Sequence, residues 1–120
     1  MQSQNALQEL QQLIRQFCED RDWNQFHTPK DLAIGISTEA AELLDIFRFK
    51  SENQIQALLT QPESRKKIEN ELADVFFFVL RFAQMNNIDL KAALESKMKM
   101  NAEKYPVATA KGSNKKYNEP

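Results

Sequence analysis

With glycine at only two positions, Gly35 and Gly112, this 120-residue chain has few places to turn a tight β-hairpin, and long helices are the architecture open to it. Leu7, Leu10, Ile14 and Phe17 recur at helical spacing in a first helix that fades at Asp20-Arg21-Asp22. Trp23 to Thr28 is a short aromatic-bearing loop. Thr28-Pro29 then offers an N-cap followed by proline at the first helical position, so a second helix is expected to run to about Phe47. A short third helix around Gln54 to Leu59 stops before Pro62. The fourth, from about Ser64 to Met85, is long and apolar nearly all round, and Asn86-Asn87 breaks it. Asp89 caps a fifth helix carrying Leu90, Ala93, Leu94 and Met98, which ends before Pro106 because the residue ahead of a proline disfavours helical geometry. The expected fold is all-α, a four- to five-helix bundle over residues 1–106. A polar tail, residues 107–120, should be mobile unless a ligand or a neighbouring subunit orders it.

Hydrophobic residues at 42% and charged ones at 28% are the balance of a single soluble domain. A domain this small buries only about two thirds of its unfolded surface, leaving little room for a deep pocket, and oligomerisation would relieve both constraints. The Phe76-Phe77-Phe78 run makes the same point, since a helix apolar on every side must be covered on every side. A net charge of −1 gives no bulk attraction to a nucleic-acid polymer or an anionic membrane, so any phosphate binding must be local. The longest strictly apolar run, Val75 to Leu80, is six residues, far below the roughly 20 that span a bilayer. The single cysteine, Cys18, reads as a small core filler, and the opening residues lack the basic and apolar segments of a secretory signal. The expectation is a cytoplasmic protein.

Chemistry enters through carboxylates on the wrong face. On a helical wheel, Leu32, Gly35, Ile36, Leu43 and Ile46 form the core stripe of the second helix, and Glu39 and Glu42 fall inside it. On the fourth helix, Ile68, Leu72, Val75, Val79, Phe82 and Ala83 make the core face, with Glu71 and Asp74 along one edge beside Phe78. Solvated glutamates often have a basic residue three or four positions away, yet Glu39, Glu42 and Asp74 have none, and Glu71 has only Lys67. Four acids gathered where water is scarce must take up protons or hold a cation. Oxygen ligands suit Mg²⁺, with Mn²⁺ as a substitute, better than zinc or iron, because imidazole and thiolate ligands are scarce. The bland alternative is a set of surface glutamates on loosely amphipathic helices.

Lys97, Asn101 and Lys104 sit at i, i+4 and i+7 of the fifth helix, placing two cations and an amide on one stripe that could serve a polyphosphate or merely face water. Trp23, Phe26, His27, Phe47 and Phe49 supply flat side chains able to stack on a base or fill a core.

Taken together these residues resemble the all-α nucleoside triphosphate pyrophosphohydrolase superfamily, in its MazG-like, dCTP-pyrophosphatase branch. The likeness rests on Glu39-Ala40-Ala41-Glu42 and Glu71-Leu72-Ala73-Asp74, separated by 28 residues. Arg21-Asp22-Trp23-Asn24-Gln25-Phe26-His27 stands ahead of them, with Lys97 to Asn101 and Lys104-Tyr105-Pro106 behind. The resemblance implies that Glu39, Glu42, Glu71 and Asp74 are the catalytic Mg²⁺ ligands, in a metal site between two core helices. It implies that Lys97, Asn101, Lys104 and Tyr105, with Lys116 and Tyr117 of the tail, face the phosphates or sugar. Trp23, His27 and Phe49 would line the base pocket, with Phe78 where related enzymes carry a tyrosine. It also implies a homodimer or homotetramer whose sites are completed across subunits. Phe49 replaces a tryptophan and Ile14 stands where some of those enzymes carry a histidine, so the pocket offers fewer hydrogen-bonding groups.

The reaction so implied is hydrolysis of a deoxynucleoside triphosphate, with dCTP or a related or modified nucleotide favoured, to the monophosphate and pyrophosphate, a nucleotide-pool house-cleaning role. Two other readings stand beside it: a non-catalytic helical interaction module, and a dUTPase or phosphoribosyl-ATP pyrophosphohydrolase on the same scaffold.

Overall fold

A computed structural model describes residues 5–115 and 118, and every regular element among them is helical. They are α1 (Ala6–Asp20), a single 3₁₀ turn (Asn24–Phe26), α2 (Pro29–Phe47), α3 (Glu52–Thr60), α4 (Pro62–Met85), α5 (Leu90–Lys104) and α6 (Val107–Ala110). The chain divides after Asn87 into two units, one carrying α1 to α4 and the other α5 and α6.

Side chains begin most of these helices. Asn5 and Gln8 exchange hydrogen bonds in a reciprocal cap on α1, and Ser51 and Gln54 do the same on α3. Thr28 accepts from the Asp31 amide with Pro29 at the first position of α2, as the sequence predicts, and Asp89 accepts from Ala92 to start α5. The helix ends must manage without glycine. After α1, Asp22 takes the left-handed conformation (φ 54°), its amide bonding to the Glu19 carbonyl and that of Trp23 to the Cys18 carbonyl. Asn87 takes the same conformation after α4. Short polar side chains tolerate this region better than any others with a Cβ.

The third corner differs from expectation. Pro62 opens α4 instead of separating two helices, and α3 runs to Thr60. Ser64 Oγ donates to the Leu58 carbonyl at 2.6 Å and Arg65 to that of Leu59 at 3.1 Å, so the first turn of α4 satisfies the exposed end of α3. The segment read as a polar tail begins with the helical turn α6.

In the first unit α2 lies antiparallel to α4, and α1 and α3 pack on α4 as well. Cys18, Leu32, Leu80 and Ala83 are its fully buried apolar residues, and Leu32, Gly35, Ile36, Leu43 and Ile46 turn inward as expected. Leu72 is a correction: read as core, it is 57% exposed, and with Val75, Phe76 and Val79 it lines an open apolar groove of about 500 Å³. Among the described residues nothing covers this face of α4. Among the described residues no helix is long and apolar enough to cross a membrane.

Candidate active site

Two stripes face each other along α2 and α4. On α2, Leu32, Gly35, Glu39, Glu42 and Ile46 follow the i, i+3, i+7 progression of one helical face, as do Glu71, Asp74, Phe78 and Arg81 on α4. Three contacts fix their register. Glu39 and Glu42 meet Glu71; the Phe78 ring lies on Gly35; and Arg81 bonds to His27, just ahead of α2.

At the acidic end, one oxygen from each of Glu39, Glu42 and Glu71 lies within 4.8 Å of the other two. Glu42, read as part of the core stripe, is exposed, while Glu39 and Glu71 are half-buried. Asp74 is exposed and outside this trio, but its charge acts on both Glu39 and Glu71. Burial pushes the Glu39 carboxyl up from 4.5 to about 7, helped by a hydrogen bond to Glu42 and by repulsion from Glu42, Asp74 and Glu71. The Glu71 carboxyl is raised too, first by burial and then by the hydrogen bond and charge of Glu42. Glu39 Oε2 and Glu71 Oε2 are buried with no hydrogen-bond partner. The ion pairs found, Arg48–Asp45, Arg65–Glu69 and Lys91–Glu95, involve none of these acids.

A buried carboxylate oxygen normally finds a donor. Two of them, on carboxylates that meet a third from facing helices, fit a hard divalent cation: all donors are oxygen, and opposite ligands of Mg²⁺ stand about 4 Å apart. Glu39, Glu42 and Glu71 could hold such an ion, with Asp74 one turn further along α4.

At the other end, the Trp23 ring stands edge-on to Phe17, with centroids 5.5 Å apart, and to His27 at 6.2 Å. Sequence reasoning missed Arg81. It is 1% exposed, and its Nε donates to His27 Nδ1 at 2.9 Å, Nη1 to Gln84 at 2.7 Å and Nη2 to Asn24. Gln84 passes the chain on to the Gln11 carbonyl of α1 at 2.6 Å. The available signal was a charged residue within the apolar run of the fourth helix. Between the two ends, Phe78 is held edge-on by Phe77 at 5.2 Å, and no room is left above Gly35.

Phe49, at the end of α2, is 89% exposed with φ 63°, and the Arg48 guanidinium sits 4.6 Å over its ring. An aromatic residue in the left-handed region is strained. In the second unit, Lys97 and Lys104 are exposed on α5, Tyr105 follows its last turn, and Asn101 lies against Met98 Sδ at 3.9 Å. Lys116 and Tyr117 fall outside the described residues.

A model of the MazG-like family matches residues 34–119, spanning both acidic motifs. The chain is 35% identical over 112 residues to rat dCTP pyrophosphatase 1, covering 93% of this chain and 66% of the rat protein. It is 33% identical over 114 residues to the human protein of that name, covering 95% and 67% of the two chains. It therefore spans about two thirds of the length of these relatives. A crystal structure of a pyrophosphatase from Archaeoglobus fulgidus superimposes with a TM-score of 0.80 at 34% identity, over 88% of this chain and 97% of that one. With both acidic motifs inside the matched segment and the all-helical fold shared over most of the chain, this protein belongs to the MazG-like family.

Proposed function

We propose that this chain is a Mg²⁺-dependent nucleoside triphosphate pyrophosphohydrolase that converts a deoxynucleoside triphosphate to its monophosphate and pyrophosphate. The observation that carries this is the meeting of Glu39, Glu42 and Glu71 from facing helices, with Glu39 Oε2 and Glu71 Oε2 buried and without a hydrogen-bond partner. Glu39, Glu42 and Glu71 would hold the ion, with Asp74 completing the acidic set. A divalent cation there supplies positive charge to the triphosphate and acidifies water.

The protein's own groups do the rest. The α2 pair, Glu39 and Glu42, orients the attacking water and receives its proton. Trp23, His27 and Phe49 receive the base, and Phe49 is the one flat side chain held almost wholly in solvent, free to stack. Phe78 closes the floor against Gly35 and brings no hydroxyl. Lys97, Asn101, Lys104 and Tyr105, with Lys116 and Tyr117, serve the phosphates and sugar. The names of the rat and human relatives favour dCTP or a related or modified deoxynucleotide. Leu72 and Phe76 on the open face of α4 pair with a second copy in a homodimer or homotetramer. The buried Cys18 thiol, pushed up chiefly by burial, suits the reducing cytoplasm.

Incubation with canonical and modified deoxynucleotides and Mg²⁺, read by chromatography, tests this. Release of monophosphate and pyrophosphate is expected. Release of single phosphates, or no turnover of any nucleotide, would replace it with a phosphatase or a non-catalytic interaction module.

A further inference from the structure

Arg81 is a buried cation with no ion pair among the described residues. Its hydrogen-bond partners are His27, Gln84 and Asn24, all neutral acceptors, and no described ion pair includes it. A guanidinium only donates. Its Nε–H points at His27 Nδ1, so that nitrogen must offer a lone pair, and the single proton of the neutral ring has to sit on Nε2. A proton on Nδ1 would set two N–H groups head to head. Burial and the adjacent guanidinium also lower the His27 pKa, which keeps the ring neutral.

The guanidinium is itself fixed by two further partners. Asn24 holds it from the 3₁₀ turn, and Gln84 holds it from its own helix while tied to the Gln11 carbonyl of α1. The imidazole plane is thus set by α1, α4 and the loop between α1 and α2. No hydrogen bond among the described residues uses His27 Nε2, although the ring lies half-buried beside Trp23.

We propose that Arg81 is a positioning residue, locking His27 in the Nε2–H form so that the ring presents a fixed donor to an acceptor on the nucleobase. This rests on the nucleotide reading above. It adds a specificity determinant: the site selects bases with a carbonyl oxygen or ring nitrogen facing His27, and uses His27 as a neutral donor, not as an acid or base.

His27 is the only histidine in the chain, so imidazole nitrogen resonances report this one ring. In the uniformly ¹⁵N-labelled wild-type protein at neutral pH, the two-bond ¹H–¹⁵N pattern should be that of the Nε2–H tautomer alone. In Arg81→Lys, which keeps the charge but loses the planar fork, the tautomers should mix. Wild-type enzyme should favour dCTP by about tenfold over an analogue whose base lacks the carbonyl, and Arg81→Lys should lose most of that preference through KM. An Nδ1–H or mixed pattern in the wild type overturns the proposal even if every Arg81 variant misfolds. A pure Nε2–H pattern with discrimination unchanged in Arg81→Lys overturns the base-reading role. Failure of the wild type to hydrolyse any nucleotide sinks the pyrophosphohydrolase reading, while the wild-type spectrum still supports or refutes the lock.

Discussion

Gly35→Ala offers a sharp test of the packing that aligns the two acidic helices. Helix propensity alone favours alanine by about 1 kcal/mol in a helix interior. The structure predicts the opposite sign. A Cβ at Gly35 would stand 2.5, 2.5 and 2.8 Å from Cδ1, Cε1 and Cζ of Phe78, about 1 Å inside ordinary contact. Phe78 cannot simply yield, because its ring is braced edge-on by Phe77, which is in turn braced by Phe17. Overpacking of this kind costs up to about 3 kcal/mol, leaving a net loss of about 2 kcal/mol. At about 2.1 cal/mol/K per residue over 120 residues, that lowers Tm by about 8 °C. Calorimetry or circular dichroism would measure it, and Phe78→Leu in the Gly35→Ala background should recover at least about 1 kcal/mol through the pairwise coupling. Glu39 lies one turn beyond Gly35, so turnover should fall as well. A Tm at or above wild type, or an equal loss in the Phe78→Leu background, would refute the close approach of the helices.

The acidic cluster gives a pH signature. The folded Glu39 pKa of about 7 lies above its ordinary 4.5, so without divalent ions the folded state keeps a proton that the unfolded chain has lost, and stability falls as pH rises through that window. After solvent screening the effect is about 1 kcal/mol, so Mg²⁺ should raise Tm more at pH 8 than at pH 5.5; an equal or reversed effect would count against a metal at these acids. Glu42→Gln and Asp74→Asn should each cost about 100-fold or more in kcat while melting near wild type, and near-normal turnover would remove them from the machinery. Phe49→Gly should raise Tm slightly, by relieving the left-handed strain at φ 63°, while raising KM for the nucleotide; an unchanged KM would exclude Phe49 from base stacking.

Much of this fold was legible because helix starts carry local chemistry. Thr28-Pro29 and Asp89 announce α2 and α5 within a few residues. Pro62 misled because proline suits both an interhelical loop and the first position of a helix, and only the bonds from Ser64 and Arg65 back to α3 decide between them. Leu72 misled because a helix apolar on all sides does not say which sides its own chain covers. The convergence of Glu39, Glu42 and Glu71 followed from two helical periods and the scarcity of basic neighbours, Lys67 beside Glu71 excepted, but the outlying place of Asp74 did not. The partners of Arg81 were not legible, because His27 and Asn24 lie 54 and 57 residues away and no spacing rule spans a distance set only by tertiary packing.

The pairing of α2 with α4 works as a ruler. Glu71 and Arg81 are ten residues apart on one rod, which fixes the gap between the two ends at about 15 Å and in steps of 1.5 Å. A single inserted residue would lengthen that gap by one step and swing everything beyond it by about 100°. Adjustment to ligands of different length therefore has to come from side chains and the flanking loops, because the graduations on the rods cannot slide.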